Sequence, residues 1–234
     1  MLVLFDIDGT LLRSQRAGLR AMTTAGTALY GDRFTLKSVE VAGSLDPIIW
    51  RTAVERGGYD DSDASHAQFR AAYVDALREL LASDQAAMLL PGVMDLVERL
   101  HAMSDVTIAL LTGNWPESGQ MKVEAAGLDS SLFAFGAYGD DGATRRDLPP
   151  VALARYVQHH GTAIDAARTI IIGDTQHDVD CAQANGCRSL AVGTGHWSAD
   201  ELREHGADLT VDDLSDVDAI LAWILESDAV HSGA

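Results

Sequence analysis

The chain begins with a short apolar run that ends abruptly in two carboxylates, and this feature constrains the fold most. The run at residues 2–5 is typical of a strand buried on both faces in the centre of a parallel sheet. Asp6 and Asp8 follow it, and Gly9 and Thr10 break the strand. Ligands of open α/β sheets bind beyond the carboxyl ends of the strands, where two acids need a cation or a proton to offset them. The stretch therefore indicates a metal site with a carboxylate nucleophile, or else a polar turn after an edge strand.

The same apolar pattern recurs later in the chain, in alternation with helical patterns. Further strands are predicted at residues 106–111, 169–172, 189–192 and 209–211. Polar residues end two of these runs, at Thr112-Gly113-Asn114 and at Gly173-Asp174-Thr175. The alternation predicts an α/β fold, a doubly wound parallel sheet with helices on both faces. We expect the polar groups to converge at one edge of this sheet.

Residues 14–88 follow a different pattern, with amphipathic helices and short loops but little strand signal. One of these helices is predicted to begin at Pro47, with Asp46 as its N-cap. We therefore expect an all-helical cap domain at residues 14–88, inserted into an α/β core domain of residues 1–13 and 89–230, with a tail at 231–234. Linkers near residues 12–16 and 86–91 are where a hinge would lie.

Charge and cysteine content narrow the possible partners. The formal net charge of −18 argues against nucleic acid and anionic membranes, since nothing would offset phosphate repulsion. Cys181 and Cys187 lack metal-binding spacing and are expected to be reduced thiols. No signal peptide and no apolar stretch of about 18 residues is apparent, so we expect a cytoplasmic protein without a membrane partner.

Four segments stand in a set order, with the helical insertion between the first and the second: Asp6-Ile7-Asp8-Gly9-Thr10, Leu111-Thr112-Gly113-Asn114, Arg145-Arg146, and Gly173-Asp174-Thr175-Gln176-His177-Asp178. Together they resemble the haloacid dehalogenase superfamily of phosphohydrolases, in particular its phosphoglycolate-phosphatase-like branch. The resemblance covers the whole chain, and it implies a Rossmann-like core with an inserted helical cap.

The resemblance also implies roles for individual residues. Asp6 would be the nucleophile that forms an aspartyl-phosphate, and Asp8 would protonate the leaving group and then activate water. Asp8 needs a raised pKa for the first task, and we expect nearby carboxylates to supply it. Thr112 would bind a phosphoryl oxygen, with backbone amides from Gly113 and Asn114. The implied cofactor is Mg²⁺, held by Asp6, Asp8 and Asp174 and supported by a surrounding set, Asp178, Thr10 and Thr175. Asp178 could instead be a plain acid at a helix N-terminus.

The basic motif departs from the usual form of the family, in which a lysine fills this position. The chain has only two lysines, Lys37 and Lys122, and neither follows residue 122. If a basic residue clamps the phosphoryl group here, it must therefore be an arginine, whose forked guanidinium suits the task. The alternative is that the two arginines are solvated residues before a helix. Alignment with the following helix places Arg145 at the lysine position, with Arg146 as the close alternative and a second phosphate contact.

The cap loop at residues 41–47 is expected to read the leaving group. Gly43 and Ser44 are the predicted substrate contacts, and Asp46 is either a further contact or only a helix cap. The acidic loop does not suggest a second anionic group on the substrate. His177 either borders the pocket or is solvated.

The predicted function is a Mg²⁺-dependent phosphatase of small phosphomonoesters, a monomer or a homodimer whose natural substrate is left open. The alternatives are a β-phosphoglucomutase-like phosphomutase and a non-catalytic phosphate-binding protein on the same scaffold. Asp8 and Asp174 argue against a metal-free dehalogenase. A phosphonate hydrolase would need a Schiff-base lysine in the cap, and no motif surrounds Lys37, the one candidate.

Overall fold

The computed structural model describes residues 1–82 and 86–231, and a six-stranded parallel sheet forms its centre. The strands are β1 (Leu2–Phe5), β4 (Thr107–Leu111), β5 (Gly136–Ala137), β6 (Thr169–Gly173), β7 (Arg188–Val192) and β8 (Leu209–Val211). Their order is β5-β4-β1-β6-β7-β8. The first strand of the chain is therefore central, as its apolar run predicts, and the doubly wound α/β fold is confirmed.

Helices cover both faces of this sheet, because successive side chains of each buried strand point to opposite sides. On one face Val3 and Phe5 pack with α4 (Val93–His101) and α9 (Val217–His231). On the other, Leu2 and Leu4 pack with α6 (Leu148–His160) and α7 (Gln176–Ala184). Two further helices complete the core layers, α5 (Pro116–Ala125) and α8 (Ala199–Glu204).

Between the first two strands of the sheet, the chain forms three helices that share a separate hydrophobic cluster. They are α1 (Ala17–Tyr30), α2 (Asp46–Gly57) and α3 (Asp63–Leu81). A two-stranded antiparallel ribbon, β2 (Leu12–Arg13) with β3 (Met88–Leu89), joins the points where the chain leaves and re-enters the sheet. We propose the helical segment as the cap domain, with the boundaries at 13/14 and 88/89 that the sequence suggests.

Some boundaries differ from the sequence-based expectation. The N-cap of α2 is Leu45, so the prediction of Asp46 as N-cap is wrong, and Asp46 is the first helical residue. The last helix extends to His231, which the sequence assigned to the tail; residues 232–234 lie outside the described residues. Helix α8 was not predicted, although Ser198 and Glu201 form a capping box at its start.

Both cysteines are free and buried, as expected. Across residues 1–82 and 86–231, no helix combines the length and apolar character that crossing a bilayer requires. The contact between the helical segment and the sheet domain includes ion pairs from Arg70 on α3, at 2.6 Å to Glu117 and 3.1 Å to Asp140.

Phe69 should be the side chain on which the helical cluster depends most. It is fully buried, with ring centroids within 6.5 Å of five other aromatic side chains, Tyr30, Phe34, Trp50, Tyr73 and Trp115. We expect Phe69→Ala to lower the free energy of unfolding by about 3–5 kcal/mol, because it leaves a cavity. Phe69→Leu, which keeps most of the volume, should cost less. Urea denaturation compares the two, and equal losses would contradict this packing role.

Candidate active site

The ends of three adjacent strands bring the predicted polar residues together. Asp6 follows β1, Thr112 follows β4, and Asp174 follows β6, and all three side chains are buried. The backbone amide of Asp6 donates to the Ile172 carbonyl at 2.9 Å, which carries the sheet register to the first residue of the site. The expected convergence at one sheet edge is therefore observed.

A buried cluster of three carboxylates lies at this edge. Single carboxylate oxygens of Asp6, Asp174 and Asp178 lie within 4.8 Å of one another. Burial raises the pKa of Asp6 to about 6, although Arg145 opposes the shift. Burial, together with the charges of Asp6 and Asp178, raises the pKa of Asp174 well above its usual value. The cluster therefore carries more negative charge than one arginine offsets, which favours a bound cation.

Arg145 is the cation within this cluster, and Arg146 is not. The Arg145 guanidinium is buried, with Nη2 at 3.0 Å from Asp6 Oδ1 and at 2.5 Å from Asp178 Oδ1. Arg146 instead carries an exposed side chain, 3.5 Å from Asp180. It is not among the described residues that line the cleft. The structure thus separates the two candidates, and the prediction of Arg146 as a phosphate contact is corrected.

Asp178 holds Arg145 in place with one oxygen and caps a helix with the other. Its Oδ1 accepts hydrogen bonds from Arg145 Nε, at 2.9 Å, and from Nη2. Its Oδ2 accepts from the backbone amide of Thr175 at 3.1 Å and from the Thr175 hydroxyl at 2.7 Å. Thr175 is the N-cap of α7. Both interpretations of Asp178 therefore hold, since it is a helix-start acid and a support for the site.

Asp174 occupies a cradle that only glycines leave open. A Cβ atom added to Gly9 would lie 2.4 Å from Asp174 Oδ2, and one added to Gly195 would lie 1.6 Å from it. Gly9 also has φ +89°, which side chains rarely adopt. The Thr10 hydroxyl donates to Asp174 Oδ1 at 3.3 Å. Hard carboxylate oxygens spaced in this way fit a divalent cation such as Mg²⁺. Sequence analysis did not identify Gly195.

Asp8 lies beside this cluster in a different environment. Ser14 Oγ donates to its Oδ1 at 3.1 Å, while Asn114 Nδ2 at 3.0 Å and Lys122 Nζ at 2.5 Å donate to its Oδ2. Burial raises the pKa of Asp8, but the charge of Lys122 and these hydrogen bonds outweigh that effect and hold the pKa below its usual value. The expectation that neighbouring carboxylates raise the pKa of Asp8 is therefore wrong for this state of the protein.

Lys122 is the site residue that sequence reasoning missed. It lies on α5 with only 4% of its surface exposed, and its Nζ also donates to Asn114 Oδ1 at 2.5 Å. Burial lowers its pKa, but Asp8 and Asp46 more than compensate, so the net shift is upward. A lysine on the helix that follows Asn114 can face the same strand end, but the sequence pattern does not define whether it does. The small number of lysines in the chain excludes Lys122 from the basic motif but does not by itself indicate a role in the site.

Thr112 and Asn114 form one hydrogen-bonded unit. Thr112 Oγ1 accepts from Asn114 Nδ2 at 2.8 Å and from the Asn114 backbone amide at 3.3 Å. Its hydroxyl proton is thereby left to be donated into the cleft. Asn114 thus acts through its side chain, and the predicted backbone contact from Asn114 is replaced by this internal hydrogen bond. Gly113 lines the cleft as expected.

The cap loop closes the cleft, which has a volume of about 230 Å³. Gly43 and Ser44 line it, as predicted. Asp46 lines it as well, but its Oδ2 accepts from the Trp115 amide at 3.1 Å and from Ser118 Oγ at 3.3 Å. Burial raises the pKa of Asp46 to about 6. The carboxylate therefore serves α5 of the core rather than its own helix.

His177 packs against the cap loop outside the cleft. A Cβ atom added to Gly43 would lie 2.4 Å from its ring, and its Nε2 lies 3.3 Å from Glu40 Oε1. It is absent from the described residues that line the cleft. His177 therefore helps to seat the cap loop at the edge of the site.

Comparison with known proteins agrees with this geometry. The family of haloacid dehalogenase-like hydrolases matches residues 3–183. The chain belongs to this family. Phosphoglycolate phosphatase of Aliivibrio fischeri is 29% identical over 229 residues, covering 94% of this chain and 96% of that protein. The resemblance to the phosphohydrolases of this superfamily is thereby confirmed.

Two solved structures share the fold of this chain. The structure of CbbY from Rhodobacter sphaeroides, in complex with phosphate, has a TM-score of 0.71 at 20% identity and covers 92% of this chain and 95% of its own. A putative β-phosphoglucomutase from Thermotoga maritima has a TM-score of 0.61 at 17% identity, covering 96% and 99%. At these identities the likeness establishes the fold only.

Replacing Lys122 tests the charge balance of the site. Lys122→Met leaves Asp8 and Asp46 without their shared cation, so the folded-state pKa of both carboxyls should rise. A raised carboxyl pKa destabilises the fold where that group is ionised, and the loss fades as the pH falls below it. Because the Asp8 side chain is 41% exposed and solvent screens its charge, we expect the metal-free variant to lose about 1–3 kcal/mol of unfolding free energy at pH 8.

The loss of unfolding free energy in Lys122→Met should be clearly smaller at pH 5. Urea denaturation with chelator at both pH values measures it. Lys37→Met, which removes the other lysine from an exposed position, is the matched control and should have little effect. An equal loss at the two pH values would contradict the assignment.

Proposed function

We propose that the chain is a Mg²⁺-dependent phosphatase that hydrolyses small phosphomonoesters through an aspartyl-phosphate on Asp6. The observation that carries this proposal is the position of Asp6 at the end of the central strand. Its carboxylate lies 3.0 Å from the Arg145 guanidinium and faces Asp174 within the acidic cluster. Relatives named as phosphoglycolate phosphatases support the phosphoester chemistry.

The residues present fit a bound Mg²⁺. The ion would be held by the carboxylates of Asp6 and Asp174 and by the main-chain oxygen of Asp8. Asp178 is left out of this set, because its two carboxylate oxygens already accept hydrogen bonds from Arg145 and Thr175. When bound, the ion would offset the carboxylate charge and neutralise the phosphoryl oxygens. Only then could an anionic ester approach Asp6 closely.

In the first half-reaction an Asp6 oxygen attacks phosphorus, and the bond to the leaving oxygen breaks. Arg145 and the free hydroxyl proton of Thr112 stabilise the charge on the transferring group. Asp8 would pass to the leaving oxygen the proton that it takes from water in the second half-reaction, and the charge of Lys122 favours this release. Its Oδ1, bound only by Ser14, is the oxygen able to carry that proton, because Oδ2 already accepts from Lys122.

In the second half-reaction water attacks the phosphorus of the aspartyl-phosphate. Asp8 takes the proton, inorganic phosphate leaves, and the Asp6 carboxylate is restored. Lys122 favours the ionised form of Asp8 that this step requires. We propose Lys122 as the residue that holds Asp8 ready for the base step.

A phosphomutase is the second candidate, because it would use the same nucleophile and acidic cluster, and a putative β-phosphoglucomutase shares the fold of this chain. It would share Asp6 but return the phosphoryl group to a sugar. The expectations of a cytoplasmic location and of a monomer or a homodimer stay predictions.

Phosphate release tests the function directly. We expect Mg²⁺-dependent release from a panel of phosphoglycolate, sugar phosphates and nucleotides, with loss of activity in excess chelator. Asp6→Asn keeps the shape of the side chain and should lower kcat by about 10³-fold or more. Turnover near the wild-type rate in this variant would rule out the mechanism. Isomerisation of a sugar phosphate without phosphate release would favour the mutase.

The two adjacent arginines provide a matched pair. Arg145→Ala should lower kcat/KM by about 10²–10³-fold, because it removes a charged donor from the transferring group. Arg146→Ala should stay near wild type, since its side chain is 62% exposed and lies outside the cleft. Steady-state kinetics at saturating Mg²⁺, with melting curves to confirm folding, separate the two. Comparable losses in both variants would contradict the assignment.

A further inference from the structure

We propose that Arg16 binds a second anionic group, on the leaving-group side of the substrate, so that the enzyme prefers acidic phosphomonoesters. This inference rests on the proposed phosphatase function. Among the residues that the structure describes, three arginine or lysine side chains line the cleft: Arg16, Lys122 and Arg145. The last two are buried and bound to carboxylates of the site. The Arg16 side chain is exposed, and within the described residues its guanidinium forms no hydrogen bond or ion pair.

The backbone around Arg16 is held in an unusual conformation. Gln15 has φ +48° and Arg16 has φ +62°, two consecutive non-glycine residues in the left-handed region. Residues with side chains rarely adopt this conformation, and it persists only where the surroundings fix it. The turn is fixed by a hydrogen bond of 2.8 Å from the Ala17 amide to the Ser14 carbonyl. The turn thus sets the point on the cleft wall from which the Arg16 side chain leaves the backbone.

The same turn relates Arg16 to the chemistry. Ser14, two residues earlier, donates its hydroxyl hydrogen to Asp8 Oδ1, the oxygen assigned to protonate the leaving group. The phosphoryl group lies at Asp6, on the other side of the bridging oxygen. An anion bound by Arg16 therefore belongs to the leaving group rather than to the phosphoryl group being transferred.

The rest of this wall offers little to a polyhydroxylated substrate. Its side chains are largely apolar: Leu19, Met22, Val41, Ala42 and Ile49. Gly18 contributes no side chain, and a Cβ there would lie 3.0 Å from Lys122 Nζ. A cleft of about 230 Å³ with apolar walls and one free guanidinium fits a short carbon skeleton that ends in a carboxylate or a second phosphate.

The acidic residues of the cap loop do not oppose this assignment. Asp46 Oδ2 is directed to the Trp115 amide and to Ser118, and Glu40 faces His177. The acidic residues in the sequence of this region predict that it disfavours a second anion. In the structure, these carboxylates contact α5 and His177 instead. His196 also lines the cleft, exposed and edge-on to Trp197, so it is a second donor to be compared.

The test compares three esters: phosphoglycolate, 1,3-propanediol bisphosphate and ethyl phosphate, whose leaving group is uncharged. The wild type should have a kcat/KM at least about tenfold higher for an acidic ester than for ethyl phosphate, through KM. The first two esters distinguish a carboxylate from a phosphate. In Arg16→Ala the ratio should fall toward one. Arg20→Ala removes an exposed arginine one turn along α1 and outside the cleft, and should leave the ratio unchanged.

A binding measurement separates this inference from the proposed function. Calorimetry in the Asp6→Asn background with Mg²⁺ should give weaker phosphoglycolate or bisphosphate binding in the Arg16→Ala double variant, but similar ethyl phosphate binding. That result without any turnover in the wild type would sink the phosphatase proposal and leave the Arg16 assignment standing. The assignment would be overturned if the wild type had equal kcat/KM values for all three esters. An equal loss of kcat/KM for all three esters in Arg16→Ala would also overturn it. An effect of His196→Ala on the ratio, with none in Arg16→Ala, would do the same.

Discussion

The site depends on gathering carboxylates at the end of a buried central strand with too few cations to match them. Asp6, Asp174 and Asp178 form one group around Arg145, and Asp8 and Asp46 form another around Lys122. Unpaired buried charge is costly, so the first group favours an added divalent ion. The two groups also diverge in proton affinity, because Asp6 has a raised pKa and Asp8 a lowered one. Without the ion, Asp6 is therefore the more easily protonated of the two carboxyls, and a bound divalent cation would favour the ionised form that a nucleophile needs.

Glycine residues leave the space that several of these charged side chains occupy. Gly9 and Gly195 admit the Asp174 carboxylate, and Gly173 does the same for Asp178, since a Cβ there would lie 2.1 Å from its Cγ. The glycines therefore determine the shape of the cleft as much as the side chains that line it. The glycines thus allow polar residues that follow separate strands to approach closely.

Much of this architecture could be predicted from the sequence, because strands buried on both faces and ended by polar residues leave a clear pattern. Asp6, Thr112 and Asp174 were found through that pattern and the ordered motifs. Lys122 was missed, because its role depends on the angle at which α5 meets the strand end, which periodicity does not define. Arg145 and Arg146 could not be separated, since their burial is decided by a 3₁₀ turn at Arg145–Asp147. Asp46 was misassigned, because the groups that donate hydrogen bonds to its carboxylate lie about 70 residues away in the chain.

The link from Asp46 to α5 has a consequence for how the two parts of the molecule communicate. The first turn of a helix leaves amide groups without internal partners, and α5 receives an acceptor from a residue of the helical insertion. Moving the insertion away would leave the Trp115 amide and the Ser118 hydroxyl without this acceptor, and would loosen the helix that carries Lys122. The contact of the helical insertion with the core and the ionised state of Asp8 are therefore thermodynamically linked. A ligand that stabilises one of them must also stabilise the other.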